Sequence, residues 1–145
     1  MGNIISTFED LECWKASRDV RRFVMGILKK FPREEMYALT DNMKRASRSI
    51  TENIAEGFGR YHYQENIQFC RISRGSLHEI VDQLITANDE EYISNEDYQR
   101  GRELVNKALL LLNGYIKYLI RAKEQYKNSE VKEEIGIYNI ITKNI

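Results

Sequence analysis

The chain has 145 residues, one proline, eight glycines and 30% charged residues, a balance that favours one domain of long helices over strands and tight turns. Lys and Arg together number 22, as do Asp and Glu, so the formal net charge is zero. That excludes an indiscriminate polyanion binder, which is clearly basic, but not a local basic patch.

Residues 1–9 read as an N-terminal extension. MGNIISTFED has no basic stretch followed by a long apolar run, so no secretory leader is expected, while Gly2 with Ser6 matches a myristoylation pattern. A first helix is predicted over 10–31, because Trp14, Ser17, Val20, Val24, Ile27, Leu28 and Phe31 recur on one helical face. Pro32 ends it, since proline cannot continue the ladder and restricts the residue before it. A second helix is predicted over 38–56, with Leu39, Met43, Ala46, Ile50, Asn53 and Gly57 alternating steps of four and three along a bundle seam. Asn53 on that seam needs a partner for its amide. Gly57 and Gly59 are expected to end the helix in a Gly-Phe-Gly turn, as residues tolerant of positive φ.

A third helix is predicted over 63–88, striped by Tyr63, Ile67, Cys70, Ser73, Leu77, Ile80, Val81, Leu84 and Ile85. Gly75 and Ser76 fall in its middle, where glycine costs about 1 kcal/mol relative to alanine. A hairpin turning near Gly59 would set residue 75 level with about residue 44, so these small residues would face Ala46, Ser47 and Ser49. They serve close packing within one subunit or a contact between subunits. Ser94-Asn95-Glu96-Asp97 is a capping-box-like entry to a fourth helix, striped by Leu104, Ala108, Leu111, Leu112, Tyr115 and Leu119 and ending near Lys123. Residues 124–145 open polar and close as IGIYNIITKNI. They form a disordered tail, an added helical turn or an arm docking on a neighbour. Docking is favoured, since exposed isoleucines invite aggregation. The prediction is all-α: an antiparallel up-down-up-down four-helix bundle over 10–123 with short connections. No apolar run is long enough to span a membrane. Cys13 and Cys70 match no metal spacing and read as free core thiols, which suits a reducing cytoplasm.

No enzyme is expected. Di-iron bundles need Glu-x-x-His pairs, and neither His62 nor His78 has Glu three residues before it, so no metal or other cofactor is predicted. The chain has no P-loop, dinucleotide fingerprint or nucleophile elbow. Cys70 with His62 as a thiol pair is outweighed by a core cysteine and a loop histidine.

The charge is uneven along the chain. Segment 44–78 carries Lys44, Arg45, Arg48, Arg60, Arg71 and Arg74 against Glu52, Glu56 and Glu65. Lys44 and Arg48 share one flank of the second helix; Arg71, Arg74 and His78 share one flank of the third. Such stripes bind phosphates, or else pair, within or between subunits, with Glu52, Glu79, Asp82 or the acid-rich fourth helix. Tyr61, Tyr63 and Phe69 offer stacking faces to unpaired bases, or serve as core and interface.

FEDLECW over 8–14, Leu39-Thr40, NIAEGFGR over 53–60 and RGSLxE over 74–79 together resemble the four-helix-bundle proteins encoded within intervening sequences of bacterial 23S ribosomal RNA genes. Asn53, Glu56, Gly57, Gly59, Gly75, Ser76 and Glu79 are the signature positions of that resemblance. It covers about residues 8–122 and implies a homopentamer of antiparallel bundles. It is similar in fold to the accessory variability determinant of diversity-generating retroelements, which binds nucleic acid and a reverse transcriptase through a strongly basic barrel. The zero net charge departs from that relative. The expectation is a non-catalytic oligomeric scaffold, binding RNA, DNA or a nucleic-acid enzyme through the basic flanks, or a protein-interaction scaffold with no nucleic-acid role.

Overall fold

The computed structural model describes residues 4–143, with side chains through residue 129. Four α-helices follow in order: α1 (Glu12–Ile27), α2 (Leu39–Gly59), α3 (Tyr63–Asp89) and α4 (Asn95–Lys143). Among the described residues there is no strand. Each helix packs on two others, α1 and α3 both on α2 and α4, so the four form an antiparallel square in chain order.

The predicted stripes supply most of the core, joined by Ile54 and Val105, while Tyr63 and Ile85 of the α3 stripe are exposed. Val20 and Val24 of α1, Met43, Ile50 and Ile54 of α2, Leu77, Ile80 and Leu84 of α3, and Val105, Ala108 and Leu112 of α4 are all sealed from solvent. Burying each of the larger side chains stabilises the fold by roughly 1.5–3 kcal/mol. Cys13 and Cys70 lie in the same core as free thiols. Several of its hydroxyls are tied to backbone, as where Ser73 Oγ donates to the Ile50 carbonyl of α2 at 2.6 Å, while the buried Ser17 Oγ has no protein partner among the described residues.

The ends of α1 differ from expectation. Extended backbone at Leu11 separates a short 3-10 turn, Phe8–Asp10, from α1 proper, and a second 3-10 turn, Leu28–Lys30, follows it. The first turn carries its own capping box. Glu9 N–H donates to Thr7 Oγ1, while Ser6 and Thr7 N–H donate to the Asp10 carboxylate and hold its pKa below the usual range. Phe31 therefore leaves the helical stripe and packs its ring on Tyr92 at 5.5 Å.

The hairpin between α2 and α3 corrects the reading of Gly57 and Gly59. Both are helical, and no described glycine has positive φ; the left-handed residue is Tyr61, at φ 51°. The reversal is Arg60-Tyr61-His62. Gly57 is instead a packing residue. A Cβ built on it would stand 2.8 Å from both Asn66 Oδ1 and Phe69 Cβ, so α2 and α3 cross here at backbone distance. The later turn also shifts the register. Ser76 meets Ser49, their hydroxyls 2.9 Å apart, so residue 75 lies level with about residue 49 rather than 44. Gly75 itself is exposed and has nothing within 4 Å of a Cβ position, which removes close packing inside the subunit as its explanation.

Ser94 caps α4 as predicted, accepting from Asp97 N–H at 3.0 Å. The helix does not stop near Lys123: it runs unbroken to Lys143, and 124–129 are exposed on it. Its last described ties to α3 are Lys123 Nζ donating to Gln64 Oε1 and the Tyr63–Tyr126 ring contact. The expected docking of IGIYNIITKNI and the lipidation of Gly2 lie outside the described residues.

Candidate nucleic-acid interface

The predicted basic residues fall on three surfaces rather than one. Lys44 and Arg48 share a flank of α2 with Thr51 at helical spacing. Arg21 of α1 donates to Thr51 Oγ1 at 2.8 Å, so this flank borders α1. Arg71, Arg74 and His78 border α4. Arg74 donates to Asn113 Oδ1 at 3.1 Å, and Arg71 lines a hollow with Ile120, Lys123 and Lys127. In a square bundle the α1–α2 seam and the α3–α4 seam lie on opposite faces.

Arg45 and Arg60 belong to neither seam. Arg45 lines the shallow groove between α2 and α3 with Ser49, Ser76 and Glu79, and is held by Asn42 and Asp41 of its own helix. Arg60 pairs with Glu56 at 2.9 Å and lies over the Phe69 ring at the end of the hairpin. The remaining signature positions are also local. Asn53 finds its partner on its own helix, donating to the Ser49 carbonyl at 2.8 Å, and sits half-buried rather than deep in the seam. Glu79 accepts from Gln83 Nε2 at 3.5 Å, and Gly59 is exposed at the end of α2.

Within one chain, among the described residues, the stripes are not paired with Glu52, Glu79, Asp82 or α4 acids. Among the described residues Lys44, Arg48, Arg71 and Arg74 make no ion pair, whereas Arg45, Arg60, Arg100, Lys15 and Lys30 do. A cation left without a carboxylate is available to a phosphate oxygen, and Arg can grip it with two parallel N–H donors.

Two groups of cations were missed in the sequence. Arg18 and Arg21 of α1 extend the Lys44–Arg48 stripe. The Arg18 guanidinium lies 5.2 Å from the Trp14 ring centroid, with its buried Nε left unpartnered. Residues 1–43 carry seven basic and seven acidic residues, which hides them, yet Glu9, Asp10, Glu12, Glu34, Glu35 and Asp41 sit at or beyond the ends of α1. Only Asp19 lies among the mid-helix arginines, so the local field stays positive. Lys123 and Lys127 extend the other seam, and were missed because α4 was expected to stop at the first of them.

No group of three or more His, Cys, Asp or Glu that could hold a metal is found among the described residues. No helix among them is long and apolar enough to cross a membrane. Burial pushes both core thiols up to about 12, away from nucleophilic chemistry at neutral pH.

A comparison with curated proteins returns no match. The family model described as 23S rRNA-intervening sequence protein matches residues 9–114, which takes in α1, α2, α3 and the first part of α4. With the bundle in place over that span, this chain belongs to the 23S rRNA-intervening sequence protein family.

Proposed function

We propose that the chain is a non-catalytic, cytoplasmic, homo-oligomeric scaffold that binds RNA or DNA phosphates through the α1–α2 and α3–α4 seams. The observation that carries this reading is the set of seam cations without an ion-pair partner, Lys44 and Arg48 on one face and Arg71 and Arg74 on the other. A chain of zero net charge has no overall attraction for polyanions, so affinity must come from these stripes. Assembly multiplies them. A closed ring, a pentamer on the family resemblance, repeats each seam around an axis, and contacts too weak singly add through effective concentration.

Salt titration tests the reading. Affinity for an RNA duplex is expected to fall linearly in log–log form, with a slope of about −0.9 for each phosphate neutralised. Arg71→Glu with Arg74→Glu is expected to flatten that slope by roughly two units, because two phosphate contacts are lost. Absence of binding at low salt, where counterion release favours it most, would sink the proposal.

A protein-interaction scaffold is the second reading. It is favoured by Leu110, 74% exposed on α4, and by Ile72 beside the open Gly75 on α3. Under it the same double charge reversal changes the oligomer mass seen by light scattering; an unchanged mass removes those arginines from the interface.

A further inference from the structure

The end of the bundle where α2 passes to α3 carries a pocket of about 470 Å³. Phe58, Tyr61 and Tyr63 form one side, Tyr115 and Tyr118 of α4 the other, and Asn66 the floor. The rings are set out toward solvent. Tyr61 is 86% exposed, Tyr118 61% and Tyr63 38%. Tyr61 reaches that position only through a left-handed backbone, which costs a non-glycine residue of order 1–3 kcal/mol. The floor is polar and ordered. Asn66 Nδ2 donates to the Tyr115 hydroxyl at 3.1 Å, and Asn66 Oδ1 accepts from Cys70 Sγ at 3.5 Å. The Tyr115 hydroxyl thus keeps its own proton for an acceptor entering the pocket.

The pocket adjoins a hollow that holds a cation. Arg121 shares that hollow with Tyr63, Tyr118 and Tyr126, while Lys123 and Lys127 lie with Arg71 in a separate hollow on the other flank of α4. Glu65, which lies 3.9 Å from His62, and Glu124 are the acids among these linings and their neighbours. Aromatic faces beside an arginine with no carboxylate in the same hollow suit a flexible polyanion with unpaired bases, because every base has a face to stack and a phosphate on either side. An apolar peptide segment would use the rings but not the arginine.

We infer that this pocket is a base-stacking site for single-stranded RNA or DNA: one unpaired base enters between Tyr61, Tyr63 and Tyr118, and a flanking phosphate lies on Arg121. The inference rests on the nucleic-acid reading above and adds strandedness to it. A duplex keeps its bases paired and offers only its phosphates to the seams.

The test compares a short single-stranded oligonucleotide with its blunt duplex at low salt, using the full chain. The single strand is expected to bind about ten-fold or more tightly than the duplex. Tyr61→Ala with Tyr118→Ala is expected to erase that preference and leave duplex binding unchanged. Both side chains are mostly exposed, and circular dichroism with thermal melting confirms that the variant folds. Arg71→Glu with Arg74→Glu lowers binding of both forms. If neither form binds at low salt, the nucleic-acid reading itself falls and the base site with it. If both bind equally, or the tyrosine variant keeps the preference, the base site is overturned while the seams stand. If the tyrosine variant instead changes the oligomer mass, the rings belong to a contact between copies and the inference fails.

Discussion

Between pH 9 and 12 the folded chain is expected to lose stability steeply, because two core thiols ionise far more readily once the chain unfolds. Cys13 and Cys70 are buried and free, and burial pushes each from 9.0 up to about 12; the neighbouring Cys70 raises Cys13 further. Below pH 9 the thiols are neutral in both states and contribute no difference. Above it the unfolded chain sheds protons that the folded chain retains, so the native state binds more protons and stability falls as pH rises. Two such groups give a slope of at most about 2.7 kcal/mol per pH unit. Burial pushes Tyr115 from 10.0 up to about 12, which steepens the same limb with the same sign. Against a total stability on the order of 5–15 kcal/mol, that slope unfolds the bundle before the thiols titrate in place. Urea midpoints measured from neutral to strongly alkaline pH check it. Cys13→Ala with Cys70→Ala is expected to start lower at neutral pH, because it leaves two small cavities, yet to lose most of the alkaline slope. Parallel curves for the two proteins would mean that the thiols are not responsible.

The parts of this fold that were legible in the sequence are those set by one helix at a time. The stripes through Val20 and Val24, Met43 and Ile50, Leu77 and Leu84, and Leu112 need only the helical repeat, and all are sealed in the core. The Ser94 cap is equally local. What failed depended on a second helix. Gly57 in a turn and Gly57 at a helix crossing look alike in one strand of sequence; only Asn66 and Phe69, across the hairpin, distinguish them. Misplacing that one residue misplaced the turn and moved the pairing of α2 with α3 by about five residues. The site shows the same division. The arginine flanks of α2 and α3 were readable on single-helix wheels. Their completion by Arg18 and Arg21, and by Lys123 and Lys127, was not, because a seam is a property of two helices. Of the aromatic residues, Tyr61 and Tyr63 do line the pocket, while Phe69 lies instead under Arg60. Tyr118 was passed over because it lies outside the apolar stripe of α4, the position that leaves its ring exposed.

Gly57→Ala is expected to destabilise the chain, although it removes a glycine from a helix. The substitution gains about 1 kcal/mol of helix propensity. Against this, the new methyl would stand 2.8 Å from Phe69 Cβ and 3.2 Å from the Asn66 carbonyl oxygen, neither of which can swing away. Only a displacement of α3 relieves the clash, and overpacking of this kind costs typically about 1–3 kcal/mol and occasionally more. The displaced residue is Asn66, so its bond to Tyr115 at the pocket floor goes too, a further loss of about 1 kcal/mol. A net loss of about 1–3 kcal/mol follows, and thermal melting reads it as a fall of about 2–4 °C per kcal/mol for a chain of this size. Gly75→Ala is the control. It sits in the middle of α3 with nothing within 4 Å, so it keeps the propensity gain and pays no clash. The two substitutions make the same chemical change in the same kind of helix and are expected to move the melting temperature in opposite directions. Were Gly57→Ala to stabilise as Gly75→Ala does, the crossing of α2 on α3 would be looser than described, and the pocket floor would not be held in place by it.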